Sequence, residues 1–336
     1  MVEKPHDVMD LMKINCEKTC KGIEIFINER IREGNNDGVL LGVSGGIDSS
    51  VALYLILRAV KDPKRVWALH LPDRDSMSKF SHYAGKLADL TKINYRVENI
   101  SELLRDKDTY KPLIMKAVPY HPLINKIILF SNKLLSPILY GSTPFEVTLK
   151  RMNPEKLRLG SVAGIARSIE NGFNDRHMLR RRILEDFAEE NNLLLLGAAN
   201  RSESFVGWFV KDGVDDLPLE ILGNLYKNQV KQLAAYLGVP GYILDEVPSP
   251  DMFKGIGDED IIGYRYDKID CVAFVHENDL PFEYLAKSGV SVDEYEGIMR
   301  IHELSDWKRI NHHVTPRYDP NIHNDLEKYT IEQEIS

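Results

Sequence analysis

The chain has 336 residues, 43% of them hydrophobic and 28% charged, with a formal net charge of −8. That length suits one large α/β domain or two smaller ones around a sizeable core, and the acidic balance speaks against a whole-surface nucleic-acid binder. No apolar run approaches a membrane span, the N-terminal stretch has no signal-peptide hydrophobic region, and only 3 cysteines are present, too few for a disulfide scaffold. The expected partners are therefore small molecules, with no membrane and no nucleic acid, and the expected compartment is the cytoplasm.

Residues 8–33 carry Met9, Leu11, Met12, Ile14, Ile23, Ile25, Phe26 and Ile31 with polar residues between, which predicts one helix. Cys16 and Cys20 share one face of it and read as packed thiols, because no Cys/His set with zinc spacing accompanies them. After the turn Asn35-Asn36-Asp37-Gly38, the run Val39-Leu40-Leu41-Gly42-Val43 has the pattern of a buried parallel strand. Ser44-Gly45-Gly46 interrupts it, and an apolar segment of helical length then runs to about Val60. Val66–Leu71 reads as a second strand, Ser78–Leu90 as a helix and Asn94–Val97 as a third strand. Residues 104–172 break the rhythm with prolines from Pro112 to Pro154 and predict an inserted, mainly helical segment or lid. A helix at about 175–190, the strand Leu193–Leu196 and a helix at about 227–237 restore it. Strands alternating with helices predict an α/β fold built on a doubly wound parallel sheet. The expected division is 1–103, the insertion 104–172, a second half 173–316 and a polar tail 317–336.

The most informative stretch is VLLGVSGGIDSS, residues 39–50. Strand, glycine turn and helix start bring free N–H groups and the positive end of a helix dipole to one spot, which is an anion site. Ser44 and Ser49 add hydroxyl donors. Asp48 would repel phosphate unless a cation lies between them, so the implied ligand is a metal–nucleotide complex. The turn is neither a Walker A loop nor a dinucleotide turn. It resembles the SGGxDS pyrophosphate loop of the ATP pyrophosphatase (adenine-nucleotide α-hydrolase) superfamily.

Three further segments narrow the resemblance: GAANRSE from Gly197, LYKNQVKQLAAYLGVP from Leu225, and PSPDMFKGIGDEDIIGYRYDKID from Pro248. In this order they resemble the NAD synthetase family, ammonia-dependent type, over about 36–100 and 174–312. The resemblance implies a Rossmann-like fold of the adenine-nucleotide α-hydrolase type. It also implies an amide ligase that adenylates a carboxylate with ATP and passes it to ammonia, releasing AMP and pyrophosphate. The family's substrate is deamido-NAD.

By the same resemblance, Ser44, Gly45, Gly46, Asp48 and Ser49 hold pyrophosphate. Asp48 and Glu203 carry Mg²⁺, two carboxylates from separate strand ends suiting a hard cation that keeps water and phosphate oxygens as its other ligands. Lys227 and Ser249 fall where the family contacts ATP phosphates, and Asp48, Lys227 and Ser249 are the implied catalytic set. Arg180, with Arg176, Arg181 and Arg182 beside it, falls where the family's arginine-rich helix supplies a cation to the nucleotide. Lys211 and Gly213 match the loop that meets the second nucleotide, and Lys308 and Arg309 match the C-terminal basic pair. The outer arginines also read as a charged helix face paired with Glu185, Asp186 and Glu189, and Asp258 and Glu259 as helix-capping acids. His312-His313 reads as surface rather than metal site. The resemblance further implies a homodimer, and in a chain this long ammonia that is free or delivered by a separate glutaminase.

Departures cluster at ligand positions. Family threonines are replaced by Ala198 and Val210, a Gln-Thr pair by Ile256-Gly257, and a histidine by Trp307. Each lost hydroxyl removes about one hydrogen bond, about 0.5–1.5 kcal/mol net. Two alternatives therefore stand beside deamido-NAD amidation: a related adenylating enzyme with another carboxylate acceptor, and a non-catalytic nucleotide-binding protein of the same fold.

Overall fold

The computed structural model describes residues 7–111, 126, 127, 130, 142–152, 163–249, 255–310 and 313–316. Most of the expected insertion and the whole tail 317–336 lie outside the described residues.

Four parallel strands form the sheet: β1 (Gly38–Gly42), β2 (Val66–His70), β3 (Asn94–Val97) and β4 (Leu193–Leu196), in the order β3-β2-β1-β4. Val39 pairs with Val66 on one side and Leu194 on the other, so β1 is central. Alternation of side chains sorts the strands onto two cores. Val39, Leu41, Val66, Ala68, Leu194 and Leu196 face one way, with Ile23 and Ile27 of α2 (Cys16–Gly34), Val51 and Leu55 of α3 (Ile47–Val60) and Leu87 of α4 (Ser78–Thr91). Leu40, Leu69 and Leu193 face the other way. They meet Leu104 of α5 (Ser101–Asp106) and Leu179, Leu184 and Ala188 of a long helix that follows α6 (Pro144–Met152), namely α7 (Ala163–Glu190). Helices on both faces explain why the strands read as unbroken apolar runs. A third core joins α1 (Val8–Leu11), α6 and α8 (Arg201–Val206) to the C-terminal helices α12 (Tyr266–Glu277), α13 (Glu283–Lys287) and α14 (Val292–Leu304).

Two expected boundaries are corrected. The helix expected over 8–33 is two, α1 and α2. Asn15 caps the second by accepting from the Lys18 N–H at 3.0 Å, and two glutamines of α9 (Lys227–Leu237) hold the break open. Gln232 accepts from the Ile14 N–H at 3.1 Å, and Gln229 donates to the Met12 carbonyl at 3.2 Å. The helix expected from about 175 starts at Ala163, since no proline interrupts the sequence between Pro154 and Pro218. Strands β3 and β4 and helix α9 have the expected limits. Cys16 and Cys20 are free thiols on α2, and burial pushes Cys20 up to about 12, as suits packed side chains. Among the described residues no helix is long and apolar enough to cross a membrane.

The chain moves from β1 outward to β2 and β3, then returns to place β4 on the other side of β1. The carboxyl ends of β1 and β4 thus flank a topological switch point, where open α/β sheets leave a crevice for ligand.

Candidate active site

The turn after β1 is organised by its own serines. Ser49 Oγ accepts from the Ser44 N–H at 3.3 Å, lies 3.1 Å from Ser44 Oγ, and donates to the Gly46 carbonyl at 3.2 Å. Ser44 Oγ accepts from the Gly46 N–H at 3.1 Å. Gly45 has φ +89°, and a Cβ there would collide with the Phe80 carbonyl, so the turn requires glycine. Gly46 is the N-cap of α3 and no side chain caps that helix, which leaves its first N–H groups facing the crevice.

Asp48, on the first turn of α3, meets the chain that leaves β4. Asn200 is fully buried and is the N-cap of α8. Its Oδ1 accepts from the Glu203 N–H at 3.1 Å, Glu203 Oε2 accepts from the Asn200 N–H at 3.3 Å, and Asn200 Nδ2 donates to Asp48 Oδ1 at 2.9 Å. Asn200 thereby holds both expected metal carboxylates, Asp48 through its side-chain amide and Glu203 through its backbone N–H. Glu220 supports this exit from below. Its carboxylate accepts from the N–H groups of Ala199 at 2.7 Å and Leu217 at 2.9 Å, and it packs flat on Gly197, where any Cβ would strike it. Burial pushes its carboxyl well above the usual range.

Lys227 opens α9, its backbone N–H held by Ser202 Oγ at 2.7 Å. Only 1% of its side chain is exposed. Its Nζ lies 2.6 Å from Asp48 Oδ2, 3.1 Å from Glu203 Oε1 and 5.0 Å from the centre of the Tyr266 ring. Burial lowers its affinity for a proton, but the attraction of Asp48 and Glu203 outweighs this and the net effect is upward. Asp258 is a third acid in the electrostatic reach of Lys227 and Asp48. It sits in the first turn of α11 (Asp258–Ile262), which follows the short α10 (Gly241–Leu244), and accepts from the Tyr266 hydroxyl at 3.3 Å. Its Oδ1 is buried without a hydrogen-bond partner. Burial pushes Glu203 up to about 8 and Asp258 up to about 6. A cation placed among these acids would favour their charged forms, which burial alone disfavours.

Of the expected residues, the structure brings together the Ser44–Ser49 turn, Asp48, Glu203 and Lys227. The others stand apart. Arg180 donates from Nε to the Leu71 carbonyl at 3.0 Å and from Nη2 to Asp73 at 3.2 Å. Arg176, 1% exposed, pairs with Asp73 at 3.1 Å and with Asp75. Both arginines thus bind the loop leaving β2. Arg181 and Arg182 pair with Glu185 at 2.7 Å and Asp186 at 3.7 Å, the expected charged helix face. Ser249 donates to the Ile256 carbonyl at 3.0 Å, beside Pro248, whose carbonyl accepts from the Asp258 N–H at 2.9 Å.

Lys211 lies half-buried in the loop between α8 and α9. Asp215 and Asp216 fasten that loop, through His177 at 2.9 Å and His313 at 2.6 Å. Gly213 lies against His177 in the same loop. His312 is outside the described residues, and His313 Nε2 pairs with Asp216. Lys308 is buried and donates to the carbonyls of Gly207, at 2.6 Å, and Phe209, and burial brings it down to about 8. Arg309 donates to the carbonyls of Phe205 at 3.0 Å and His302 at 2.5 Å. Sequence reasoning gave no role to Asn200, Glu220 or Tyr266. The asparagine within GAANRSE was the available signal for the first and the tyrosine of YDKID for the third; nothing marked Glu220.

Comparison with known proteins identifies the family. The family model described as NAD synthase matches residues 19–116 and 165–311. The NH(3)-dependent NAD(+) synthetase of Coprothermobacter proteolyticus is 34% identical over 74% of this chain and 81% of its own length. That of Thermotoga maritima is 31% identical over 84% and 93%. Among solved structures, an NMN synthetase from Francisella tularensis superposes with TM-score 0.60 at 21% identity, covering 91% of this chain and 99% of its own. An NH3-dependent NAD synthetase from Campylobacter jejuni gives 0.56 at 20%, covering 88% and 96%. These structural likenesses concern the fold. With the family model matching well over half its length in two blocks, the chain belongs to the NAD synthase family.

Proposed function

We propose that the chain is an ammonia-dependent NAD synthetase. The reaction is amide formation driven by ATP. The carboxylate of deamido-NAD attacks the α-phosphorus of ATP, forming an acyl adenylate and releasing pyrophosphate. Ammonia then attacks the activated carbonyl, AMP leaves with the bond electrons, and a proton passes to solvent. No side-chain nucleophile is needed, so alignment and charge stabilisation carry the catalysis. The observation that carries the reading is the convergence of Asp48, Glu203 and Lys227 beside an uncapped helix N-terminus at the switch point of the sheet.

In this reading the N–H groups of the Ser44–Ser49 turn and the start of α3 hold the leaving pyrophosphate. Asp48 and Glu203 hold Mg²⁺, which when bound neutralises phosphate charge. The buried Oδ1 of Asp258, without a hydrogen-bond partner and near Asp48 and Lys227, fits a cation there. Among the described residues no three or more His, Cys, Asp or Glu side chains are grouped to hold a metal unaided, so phosphate and water complete the shell. Lys227 and Ser249 address the phosphates. Arg180 fixes the β2 exit loop beside the nucleotide, and Lys211 and Lys308 serve the acceptor side. The gap in the family match between 116 and 165 supports reading 104–172 as an insertion between two halves, 1–103 and 173–316, of one ATP pyrophosphatase domain. We further propose a cytoplasmic homodimer that takes free ammonia or receives it from a separate glutaminase.

The test is NAD formation from ATP, Mg²⁺, deamido-NAD and ammonium, with stoichiometric pyrophosphate. A second reading, another carboxylate acceptor, rests on Ala198, Val210 and Trp307 at positions where the family places hydrogen-bonding side chains. Pyrophosphate release with nicotinate mononucleotide or another carboxylate, and none with deamido-NAD, selects that reading. Nucleotide binding without turnover on any acceptor selects a non-catalytic binder. Sedimentation as a monomer at micromolar concentration removes the dimer.

A further inference from the structure

Lys227 has two claims on it. The proposed chemistry gives its ammonium to nucleotide phosphate, yet the ammonium lies between Asp48 and Glu203, at 2.6 and 3.1 Å, against the same oxygens proposed for the metal. Magnesium binds oxygen at about 2.0–2.1 Å. An ammonium in hydrogen-bond contact with both carboxylates and a divalent cation on the same oxygens would be forced to within a few ångströms of each other in a site shielded from water, where like charges repel strongly. We propose that Lys227 is the resident counter-cation of the Asp48–Glu203 pair, that a divalent metal enters only by displacing it, and that the displaced ammonium becomes the group offered to nucleotide phosphate. This rests on the metal role proposed above for the two carboxylates.

The surroundings fix the backbone of Lys227 and leave its side chain as the part to move. The Lys227 backbone is fixed by Ser202, and Ser202 in turn donates to buried Asp270, which also accepts from the Asn228 N–H at 2.8 Å. The start of α9 therefore stays in place while the four-carbon stem rotates. The Tyr266 ring, 5.0 Å from Nζ, flanks the ammonium with a polarisable face rather than a competing donor. Asn200, tied to both carboxylates, keeps the pair together when the lysine leaves. Displacement makes metal and nucleotide cooperative: each lowers the cost of the other, by equal factors.

The probe is Mn²⁺, followed by the free-ion electron paramagnetic resonance signal on the full chain without nucleotide. Removing the competitor is expected to tighten Mn²⁺ binding by about tenfold or more in Lys227→Met and Lys227→Gln relative to wild type. Equal or weaker binding in a folded variant overturns the proposal. If neither variant folds, acylation of Lys227 in wild type, read by peptide mass spectrometry, decides: labelling that rises with Mn²⁺ supports displacement, and labelling unchanged at saturating Mn²⁺ overturns it. Asp48→Asn separates this from the underlying reading. If Asp48→Asn binds Mn²⁺ with ATP as tightly as wild type, the metal role fails and the displacement falls with it. If Asp48→Asn loses binding while the Lys227 variants gain none, the displacement alone falls.

Discussion

The two ends of the crevice are built differently. At the proposed phosphate end, the turn from Ser44 to Ser49 follows the family pattern letter for letter, and side chains from α3, α8 and α9 converge on one cluster. At the proposed acceptor end, the loop from Gly207 to Leu217 departs from the pattern, and it is fastened within the protein: Asp215 by His177, Asp216 by His313, and the Gly207 and Phe209 carbonyls by Lys308. The first is fixed by what any ATP tail demands, since pyrophosphate needs amides, hydroxyls and a cation in one arrangement. The second is free to differ because the acceptor carries the specificity. ATP chemistry is thus the firmer half of the functional reading and acceptor choice the more individual half.

The largest expected effect lies at the phosphate end. Asp48→Asn removes a proposed charged metal ligand and the partner of both Lys227 and Asn200. Pyrophosphate release should fall by about 10²–10³ or more, the range for losing a principal electrostatic group. Near-normal turnover would break the contrast at its stronger side. Glu203→Ala should mainly raise the Mg²⁺ requirement, read as the half-saturating Mg²⁺ concentration at fixed ATP.

Asn200 gives the next step down. Asn200→Ser keeps a side-chain oxygen that can cap α8 but loses the donor that reaches Asp48. Outer-shell partners of metal ligands typically cost 10–100-fold when removed, so activity at limiting Mg²⁺ should drop by about 10-fold or more while the melting temperature stays near wild type. A large fall in melting temperature with an unchanged Mg²⁺ requirement would make Asn200 a cap and nothing else.

The sequence carried the phosphate end well because its signals are local. Strand β1, the glycine turn and α3 are consecutive, and the apolar runs at Val66–His70 and Leu193–Leu196 needed no knowledge of partners to be read as strands. What escaped depended on side chains arriving from afar. The break before Asn15 is held by Gln229 and Gln232, more than two hundred residues away. Asp258 reads locally as a capping acid, and only the folded chain brings it to Lys227. The protein contacts of Arg180, the Leu71 carbonyl and Asp73, were likewise out of reach of its motif position.

Lys308 and His177 probe the acceptor end. Lys308 in the folded chain sits near 8 against an ordinary 10.5, so between those values the unfolded chain binds more protons than the folded one. Stability should therefore rise with pH across that window, by at most about 1.4 kcal/mol per unit from this residue. The penalty is full below about 8 and gone above 10.5. Denaturant melts at pH 7.5 and 10 should show this rise in wild type and a smaller one in Lys308→Met; equal slopes would mean that the ammonium is solvated.

The smallest expected change is His177→Ala, which frees Asp215 and with it the Val210 N–H that Asp215 accepts at 3.1 Å. The loop bearing Lys211 loses one fastening while the phosphate cluster is untouched. The KM for the acceptor should rise several-fold, about the value of one charge-assisted hydrogen bond, with the KM for ATP unchanged. Equal changes in both constants would mean that the two ends respond as one unit, and the contrast between a generic phosphate end and an individual acceptor end would have no energetic basis.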